Sequence, residues 1–412
     1  MSARTGYRGG VLFRTWEHEA GAPGVRTVDD RLGRPHTLVN GYRWVRTVLM
    51  DPDTYRPDNA LDAMTPLGVA ALRILARYRF RLPPTLANNG GPSHPAIREA
   101  TARALHPDRV AAARPWLAGL VAHRVAGLTR RLDAGGDVDL YADLVADLPL
   151  LVLARLVELP DSQASIVKEF SRAALELFWA PVPPERQLYL AEIVGRYHRV
   201  LRDFAATAGG LVGELRELSG NPDVPVAALF FLLVAGQETT SQFLTLLLHK
   251  LCGQSTVDGC VEDVVEEGLR TVPPIVTWRR VAARDTELDG VGIPCGRPVV
   301  LWLAGSARPG TRAHLAFGAG AHRCVGAQLA RMEAAVVVEA TAPMLRDVEV
   351  LRAPWSPDNL SFRMPDALVV RRPRATEAAG RPPRPGAAAP DPPRRTVPDS
   401  TSPVRRAGTV AG

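Results

Sequence analysis

The sequence predicts a mainly α-helical fold with small β-sheets, an α+β arrangement. Apolar residues recur with helical spacing over most of residues 94–271. After Pro274 the pattern becomes strand-like, with turn signals at Asp289-Gly290 and Pro294-Cys295-Gly296. The chain has 412 residues, of which 46% are hydrophobic, so it can bury one large core or two smaller ones.

The elements follow in order along the chain. Residues 26–50 predict a short hairpin that leads into a helix near 42–49, and residues 51–93, rich in proline and glycine, are predicted to be irregular. A second strand pair is predicted near 348–351 and 367–370. Helices are predicted at 94–105, 107–133, 140–158, 161–178, 184–218, 224–250 and 258–271.

The last forty residues differ in composition from the rest. Residues 373–412 are rich in Pro, Ala, Arg and Ser, with few large apolar side chains, so a disordered tail is predicted behind a catalytic domain at 1–372. Much of the net charge of +7 lies there and says little about partners of the body. Nucleic-acid binding by this tail is a weak alternative, because prolines and mixed acids favour a linker.

The sequence carries none of the targeting signals that would argue against a cytoplasmic location. No run of about 18 apolar residues occurs, so a transmembrane helix is not expected. The N-terminus lacks the apolar core of a signal peptide, and the four cysteines show no dense spacing. We therefore expect a cytoplasmic monomer that binds neither membrane nor nucleic acid.

The most informative segment surrounds Cys324. It reads Phe317-Gly-Ala-Gly-Ala-His-Arg-Cys324-Val-Gly326 and is followed at once by a helical pattern. Glycines let the backbone lie flat against a large planar group, and the positive end of the helix favours a thiolate. One isolated thiolate suits a single axial bond to heme iron better than a zinc or iron–sulfur site. The alternative is a glycine-rich turn with a buried, inert cysteine.

This segment resembles the cysteine loop of the cytochrome P450 superfamily, the heme-thiolate monooxygenases. Phe317, Gly318, His322, Cys324 and Gly326 match fixed positions of that loop. The resemblance covers roughly residues 26–372 and implies the P450 fold, with heme b between a long central helix and the helix after the cysteine.

The predicted helix at 224–250 is apolar nearly all round but contains Ala235-Gly236-Gln237-Glu238-Thr239 in its middle. This stretch resembles the family's oxygen-activation segment. The resemblance implies that Ala235 and Gly236 let the heme approach, while Glu238 and Thr239 pass protons to dioxygen. The alternative is a kinked core helix whose threonine bonds a carbonyl one turn back.

Several charged residues match other family positions. His94 and Arg98 lie four residues apart, so both can reach one anion from the same helix face. The resemblance implies that they bind the heme propionates together with Arg280 and His322. Glu267 and Arg270 match the family's Glu-x-x-Arg pair, which implies a structural brace behind the cysteine loop.

The sequence departs from the family pattern before the cysteine. Thr239 and Glu267 are only 28 positions apart, and residues 303–316 omit most of a Pro- and Phe-rich meander that the family carries there. This shortening leaves open a degenerate, non-catalytic heme binder. Arg308 and Arg312 are candidates to replace the missing contacts.

The chemistry and substrate follow from the resemblance. It implies oxidation of a small, natural-product-like molecule by dioxygen, with electrons from NAD(P)H through a ferredoxin reductase and a ferredoxin. Hydroxylation is the favoured reaction, and oxidative coupling of an aromatic or peptide-like substrate is the alternative. By motif position the pocket is expected to include the irregular segment 58–92 and the residues Phe231, Val234, Ile275, Val276 and Thr277.

Overall fold

The structure, a computed structural model, describes residues 22–28, 35–160, 164–254 and 259–373. The predicted tail lies outside these residues except for Pro373, so the tail and the domain boundary stay predictions. The fold is mostly helical with small sheets, which confirms the predicted class.

The helices of the described residues are numbered in chain order. They are α1 (Tyr42–Met50), α2 (Val69–Arg77), α3 (His94–Ala104), α4 (Pro107–Asp133), α5 (Leu148–Val157), α6 (Ala164–Trp179), α7 (Pro184–Thr207), α8 (Gly210–Ser219), α9 (Asp223–Leu251), α10 (Val261–Thr271) and α11 (Ala327–Leu345).

Most predicted helices are confirmed, but three predictions were wrong. The helix at 184–218 is two helices, because Gly209 and Gly210 interrupt it and Gly210 has φ +54°. The helix at 140–158 is divided into a π-helical turn at Tyr141–Val145 and α5. Helix α2 lies in the segment predicted to be irregular, where its apolar spacing was overlooked.

The strands form three small sheets. They are β1 (Gly24–Val28), β2 (His36–Asn40), β3 (Tyr55–Arg56), β4 (Val138–Asp139), β5 (Thr277–Ala282), β6 (Thr286–Leu288), β7 (Val291–Ile293), β8 (Pro298–Trp302), β9 (Glu349–Arg352) and β10 (Val369–Arg371). The largest sheet has the order β1-β2-β8-β5-β3, with β2 and β8 parallel and the other pairs antiparallel. The predicted hairpin and late strand pair are confirmed as β1-β2 and β9-β10.

Helix α9 runs through the main core and packs against α5, α6, α7 and α11. By length and composition alone it is apolar enough to cross a membrane. However, 78% of its most apolar window is buried inside the protein, which is typical of a core helix.

The cysteine loop packs closely against α1. Gly320 has φ +69°, and a Cβ atom there would lie 2.6 Å from the carbonyl oxygen of Leu49. Backbone cannot move aside as a flexible side chain can, so only glycine fits. Gly310 has the same φ of +69° but has nothing within 4 Å of the corresponding position.

We expect Gly320→Ala to destabilise the protein more than Gly310→Ala. The Gly310 variant pays only for its left-handed backbone, about 1–2 kcal/mol, whereas the Gly320 variant adds a clash with backbone. Thermal unfolding of both variants measures the difference. Equal shifts in Tm would show that the loop does not depend on this close approach.

Candidate functional site

One cavity brings together most of the residues that the sequence singled out. It lies between α9 and the loop that leads to α11, and Ala235, Gly236 and Thr239 border it from α9. Cys324 borders the same cavity, as do the loop residues Phe317, Gly318, His322 and Gly326.

The cavity-facing sulfur of Cys324 is held by the backbone of its own loop. The Cys324 N–H donates to the Phe317 carbonyl oxygen at 2.9 Å, and α11 begins three residues later. Burial raises the pKa of the thiol, although the Gly326 N–H and the cation of Arg98 oppose this shift. The protein alone therefore favours the protonated thiol, and a bound metal cation would supply the charge that favours the thiolate.

Basic side chains surround one edge of the cavity. Arg280 is 2% exposed, and burial lowers the pKa of its guanidinium to about 10. Burial also lowers the pKa of Arg98, and it lowers that of His94 to about 4, where His322 and Arg98 add to the effect. The described residues that line the cavity include no Asp or Glu to neutralise these cations.

Two histidines of this edge form a stacked pair. The rings of His94 and His322 are 4.2 Å apart at 21°. His322 Nε2 bonds the Asn89 carbonyl oxygen at 3.0 Å, while its buried Nδ1 has no partner among the described residues. Burial lowers the pKa of His322.

These features fit a heme group. Arginines without an acid suit two carboxylates, and a lone thiol suits a single axial ligand. Since Nε2 of His322 donates to Asn89, its Nδ1 can join the arginines as a donor only when the ring is protonated. Within the described ranges no cluster of three or more His, Cys, Asp or Glu side chains could hold a metal ion. Arg280 borders the cavity, whereas its neighbour Arg279 does not.

Glu238 does not border the cavity, unlike Thr239. Its carboxylate is fully buried and accepts hydrogen bonds from Lys168 Nζ at 2.9 Å, Gln237 Nε2 at 2.9 Å and Gln242 Nε2 at 3.3 Å. A guanidinium nitrogen of Arg172 lies 3.7 Å away. Lys168 and Arg172 are partly exposed, so these side chains connect the middle of α9 to solvent.

The small residues of α9 have a second purpose besides bordering the cavity. A Cβ atom at Gly236 would lie 2.9 Å from Leu153 Cδ2, so the glycine makes room for α5. The Thr239 hydroxyl donates to the Ala235 carbonyl oxygen at 2.6 Å, as in the alternative considered for this helix.

Two other predictions differ from the structure. Val276 and Thr277 do not border the cavity, because both are buried against the late loop, where Thr277 Oγ1 donates to the Leu360 carbonyl oxygen at 2.6 Å. The Glu267–Arg270 pair forms at 2.7 Å but is partly exposed, and within the described residues its hydrogen bonds and ion pairs do not reach the cysteine loop.

Phe231, Val234 and Ile275 border the cavity as predicted, and Leu86 and Ala87 come from the irregular segment. Trp278 borders the same wall, and sequence reasoning missed two further aromatic side chains there, Trp179 and Phe362. Phe362 meets the two tryptophans edge to face, at 5.1 Å and 6.3 Å between ring centroids. Trp278 sits two residues before Arg280 and had a positional signal, whereas Phe362 and Trp179 reach the site only through tertiary packing.

Comparisons with known proteins find cytochrome P450s. The chain is 28% identical over 377 residues to the cytochrome P450 monooxygenase PikC of Streptomyces venezuelae, covering 84% of this chain and 87% of the relative. It is 29% identical over 284 residues to the erythromycin C-12 hydroxylase of Saccharopolyspora erythraea, covering 60% and 70%. The solved structure of cytochrome P450 CREJ in complex with (4-ethylphenyl) dihydrogen phosphate superposes with a TM-score of 0.74 at 25% identity, covering 84% and 93%. A scan against protein-family models found no match.

The fold, the thiol-bearing loop and these relatives together define the class: the chain belongs to the cytochrome P450 superfamily. It is an oxidoreductase of the heme monooxygenase type, and members of this class obtain electrons from redox partners.

The two lysines of the chain provide a matched test of the Glu238 cluster. We expect Lys168→Met to lower the free energy of unfolding by about 1–3 kcal/mol, because the buried carboxylate loses a charged donor. Lys250 lies 3.6 Å from the half-exposed Glu267, so we expect Lys250→Met to change it by no more than about 0.5 kcal/mol. Urea unfolding distinguishes the two, and equal effects would contradict a buried ionic cluster.

Proposed function

We propose that the protein hydroxylates a small, uncharged natural product at a heme b bound by Cys324, with electrons from NAD(P)H delivered by a ferredoxin reductase and a ferredoxin in the cytoplasm. The main support is that the thiol of Cys324, the hydroxyl of Thr239 and the acid-free basic edge border one cavity. The relatives named as a monooxygenase and as an erythromycin hydroxylase favour this reaction and a natural-product substrate.

Each residue has a role in the proposal. The thiolate of Cys324 binds the iron, and Arg98, Arg280, His94 and His322 bind the propionates. Charge-assisted hydrogen bonds from these donors would fix the orientation of the group within the cavity. When bound, heme b supplies an iron centre at which dioxygen is activated.

Proton delivery falls to α9. The Thr239 hydroxyl donates a hydrogen bond to the Ala235 carbonyl oxygen. The lone pairs of the hydroxyl oxygen therefore remain free to accept a hydrogen bond from water in the cavity. The Glu238 carboxyl group lies beside Lys168 and Arg172, which reach solvent. We propose that it takes up a proton on that side and that rotation of the side chain delivers the proton to the Thr239 side.

The wall of the cavity limits the substrate. Among the described lining residues, charged groups are confined to the basic side chains, while Trp179, Phe231, Trp278 and Phe362 provide aromatic surface. An uncharged substrate with an aromatic ring fits this wall through edge-to-face and stacking contacts. The same wall favours oxidative coupling of aromatic rings as the second candidate, and product mass separates a gain of one oxygen from a loss of two hydrogens.

The decisive experiment is the absorption spectrum of the heme-loaded protein, reduced under carbon monoxide. We expect a thiolate-type Soret band that is lost in Cys324→Ser and retained in Cys295→Ser, whose thiol is exposed and does not border the cavity. A wild-type protein that fails to give this band would refute the proposal and favour the degenerate heme binder.

Thr239→Ala tests proton delivery. We expect it to release more peroxide for each NAD(P)H consumed and to lower the yield of product by about 100-fold, the lower end of the range for a group that takes part in proton transfer, because the water in the cavity loses the acceptor that orients it. Thr245→Ala is the control, because Thr245 makes the same bond to a carbonyl one turn back, at 2.7 Å, without bordering the cavity. Similar uncoupling in both variants would assign the effect to the helix rather than to the hydroxyl.

A further inference from the structure

The chain before the cysteine loop is short, yet it reaches the loop in a defined conformation. After β8 ends at Trp302, the backbone makes a turn in which Arg308 N–H donates to the Ala313 carbonyl oxygen at 2.8 Å, and Ala307 pairs with His314. The Gly318 N–H then donates to the Leu315 carbonyl oxygen at 2.8 Å. These bonds are internal to the segment, so they do not fix it to the helices.

Glu266 of α10 connects this segment to α11. Its carboxylate accepts a forked pair of hydrogen bonds from Arg331, one from Nε and one from Nη2 at 3.0 Å, and lies 3.1 Å from His314 Nε2. These bonds to His314 and Arg331 hold the pKa of Glu266 down, at about 2. Forked arginine–carboxylate contacts are among the strongest and most oriented in proteins.

The hydrogen bonds of His314 define its tautomer. Nδ1 accepts from the Ala316 N–H at 3.2 Å, so the proton of the neutral ring lies on Nε2, which donates to Glu266. The side chain is 7% exposed, whereas those of Glu266 and Arg331 are about one-third exposed. The histidine therefore holds the backbone two residues ahead and the carboxylate at the same time.

Arg331 continues this connection to the sulfur. Its guanidinium carbon lies 4.5 Å from the centre of the Phe317 ring, within the range of cation–π contacts. The carbonyl oxygen of Phe317 in turn accepts the N–H of Cys324. A continuous path of contacts thus joins Glu266, Arg331, Phe317 and Cys324.

The neighbouring acid has no such path. Glu267 bonds Arg270 and lies near Lys250, and its described partners do not include residues 303–326. Arg312, one of the two arginines considered as a replacement, pairs instead with Asp263 and is 78% exposed on its side chain. An exposed pair of this kind contributes little.

We propose that Glu266, acting through Arg331 and His314, positions the Cys324 loop in this shortened chain, so that Glu266 and not Glu267 is the acid on which the cysteine loop depends. The three side chains are positioning residues, since none is placed against substrate or iron. This inference rests on the proposed function in that the sulfur serves as an iron ligand.

The test compares three glutamates of α10 in the heme-loaded protein. Glu266→Gln keeps the shape of the side chain but removes its charge. Under carbon monoxide, we expect the ratio of the thiolate-type Soret band to the Soret band of heme without a thiolate ligand to fall about tenfold. This is the effect expected from the loss of one charge-assisted hydrogen bond. Glu267→Gln and Glu262→Gln, an exposed first-turn residue, should stay within about twofold of the wild type. Loss of the band in Glu267→Gln alone, or in both Glu266→Gln and Glu267→Gln equally, would overturn the proposal.

Conservative rescue separates positioning from a general loss of stability. We expect His314→Ala to lower the same ratio and His314→Gln to restore it, because the glutamine amide can donate from near the position of Nε2. The two histidine variants also apply where Glu266→Gln fails to fold. If His314→Gln behaves like His314→Ala, the hydrogen bond to Glu266 is not what positions the loop.

Hydrogen exchange provides a readout that does not need heme. In the heme-free protein, amides of residues 314–326 should exchange faster in Glu266→Gln than in Glu262→Gln, while amides of α9 remain unchanged. Unchanged exchange in 314–326 would count against the inference even if heme binds. Failure of the wild-type protein to give a thiolate band, with faster exchange in Glu266→Gln, would refute only the proposed function.

Discussion

The site depends on one constraint: the sulfur of Cys324 must be held toward the cavity by a loop that has little structure of its own. The Cys324 N–H donates a hydrogen bond to the Phe317 carbonyl oxygen, while Gly320 lets the loop backbone pack against α1. His322 reaches across to the Asn89 carbonyl oxygen. The loop's own backbone and two distant parts of the chain therefore fix the position of the sulfur, and each contact stabilises less if another is lost.

Helix α9 separates two different polar environments. Phe231, Ala235, Thr239 and Phe243 recur every four residues and border the cavity, as expected for one face of a helix. Glu238 is rotated by about 100° from Thr239 and lies with Gln242, one turn further, in the cluster around Lys168. The basic edge of the cavity is thus kept away from the buried carboxylate of Glu238. This separation leaves the cations of the cavity available for an anionic ligand.

Local patterns in the sequence were sufficient for the fold class, for most helix limits and for the cysteine loop, because these depend on neighbours along the chain. Contacts between distant segments were not predictable in this way. The aromatic wall combines Trp179, Trp278 and Phe362 from three elements, and no spacing in the sequence relates them. Val276 points away from Ile275 into the core, since side chains alternate along extended backbone. Thr277 is buried for a different reason, because its hydroxyl donates to the Leu360 carbonyl oxygen of a distant loop. Helical geometry alone predicts that Glu238 points away from Thr239, because consecutive residues on a helix are about 100° apart. The family motif instead suggested that the two side chains act together.

The difference between Glu266 and Glu267 illustrates how side-chain hydrogen bonds can replace backbone hydrogen bonds where a connecting segment is short. A long connection can fix a loop through its own backbone hydrogen bonds, at an entropic cost that grows only slowly with length. The short segment here has few such bonds to the helices and relies on His314 and Arg331 instead. Two adjacent residues on a helix point about 100° apart, so moving the brace from one glutamate to the next redirects it toward α11. Helix α11 begins directly after the cysteine loop, so a contact on this helix acts close to Cys324 rather than on a remote part of the chain. A short segment before the loop can then be enough to hold the sulfur in position.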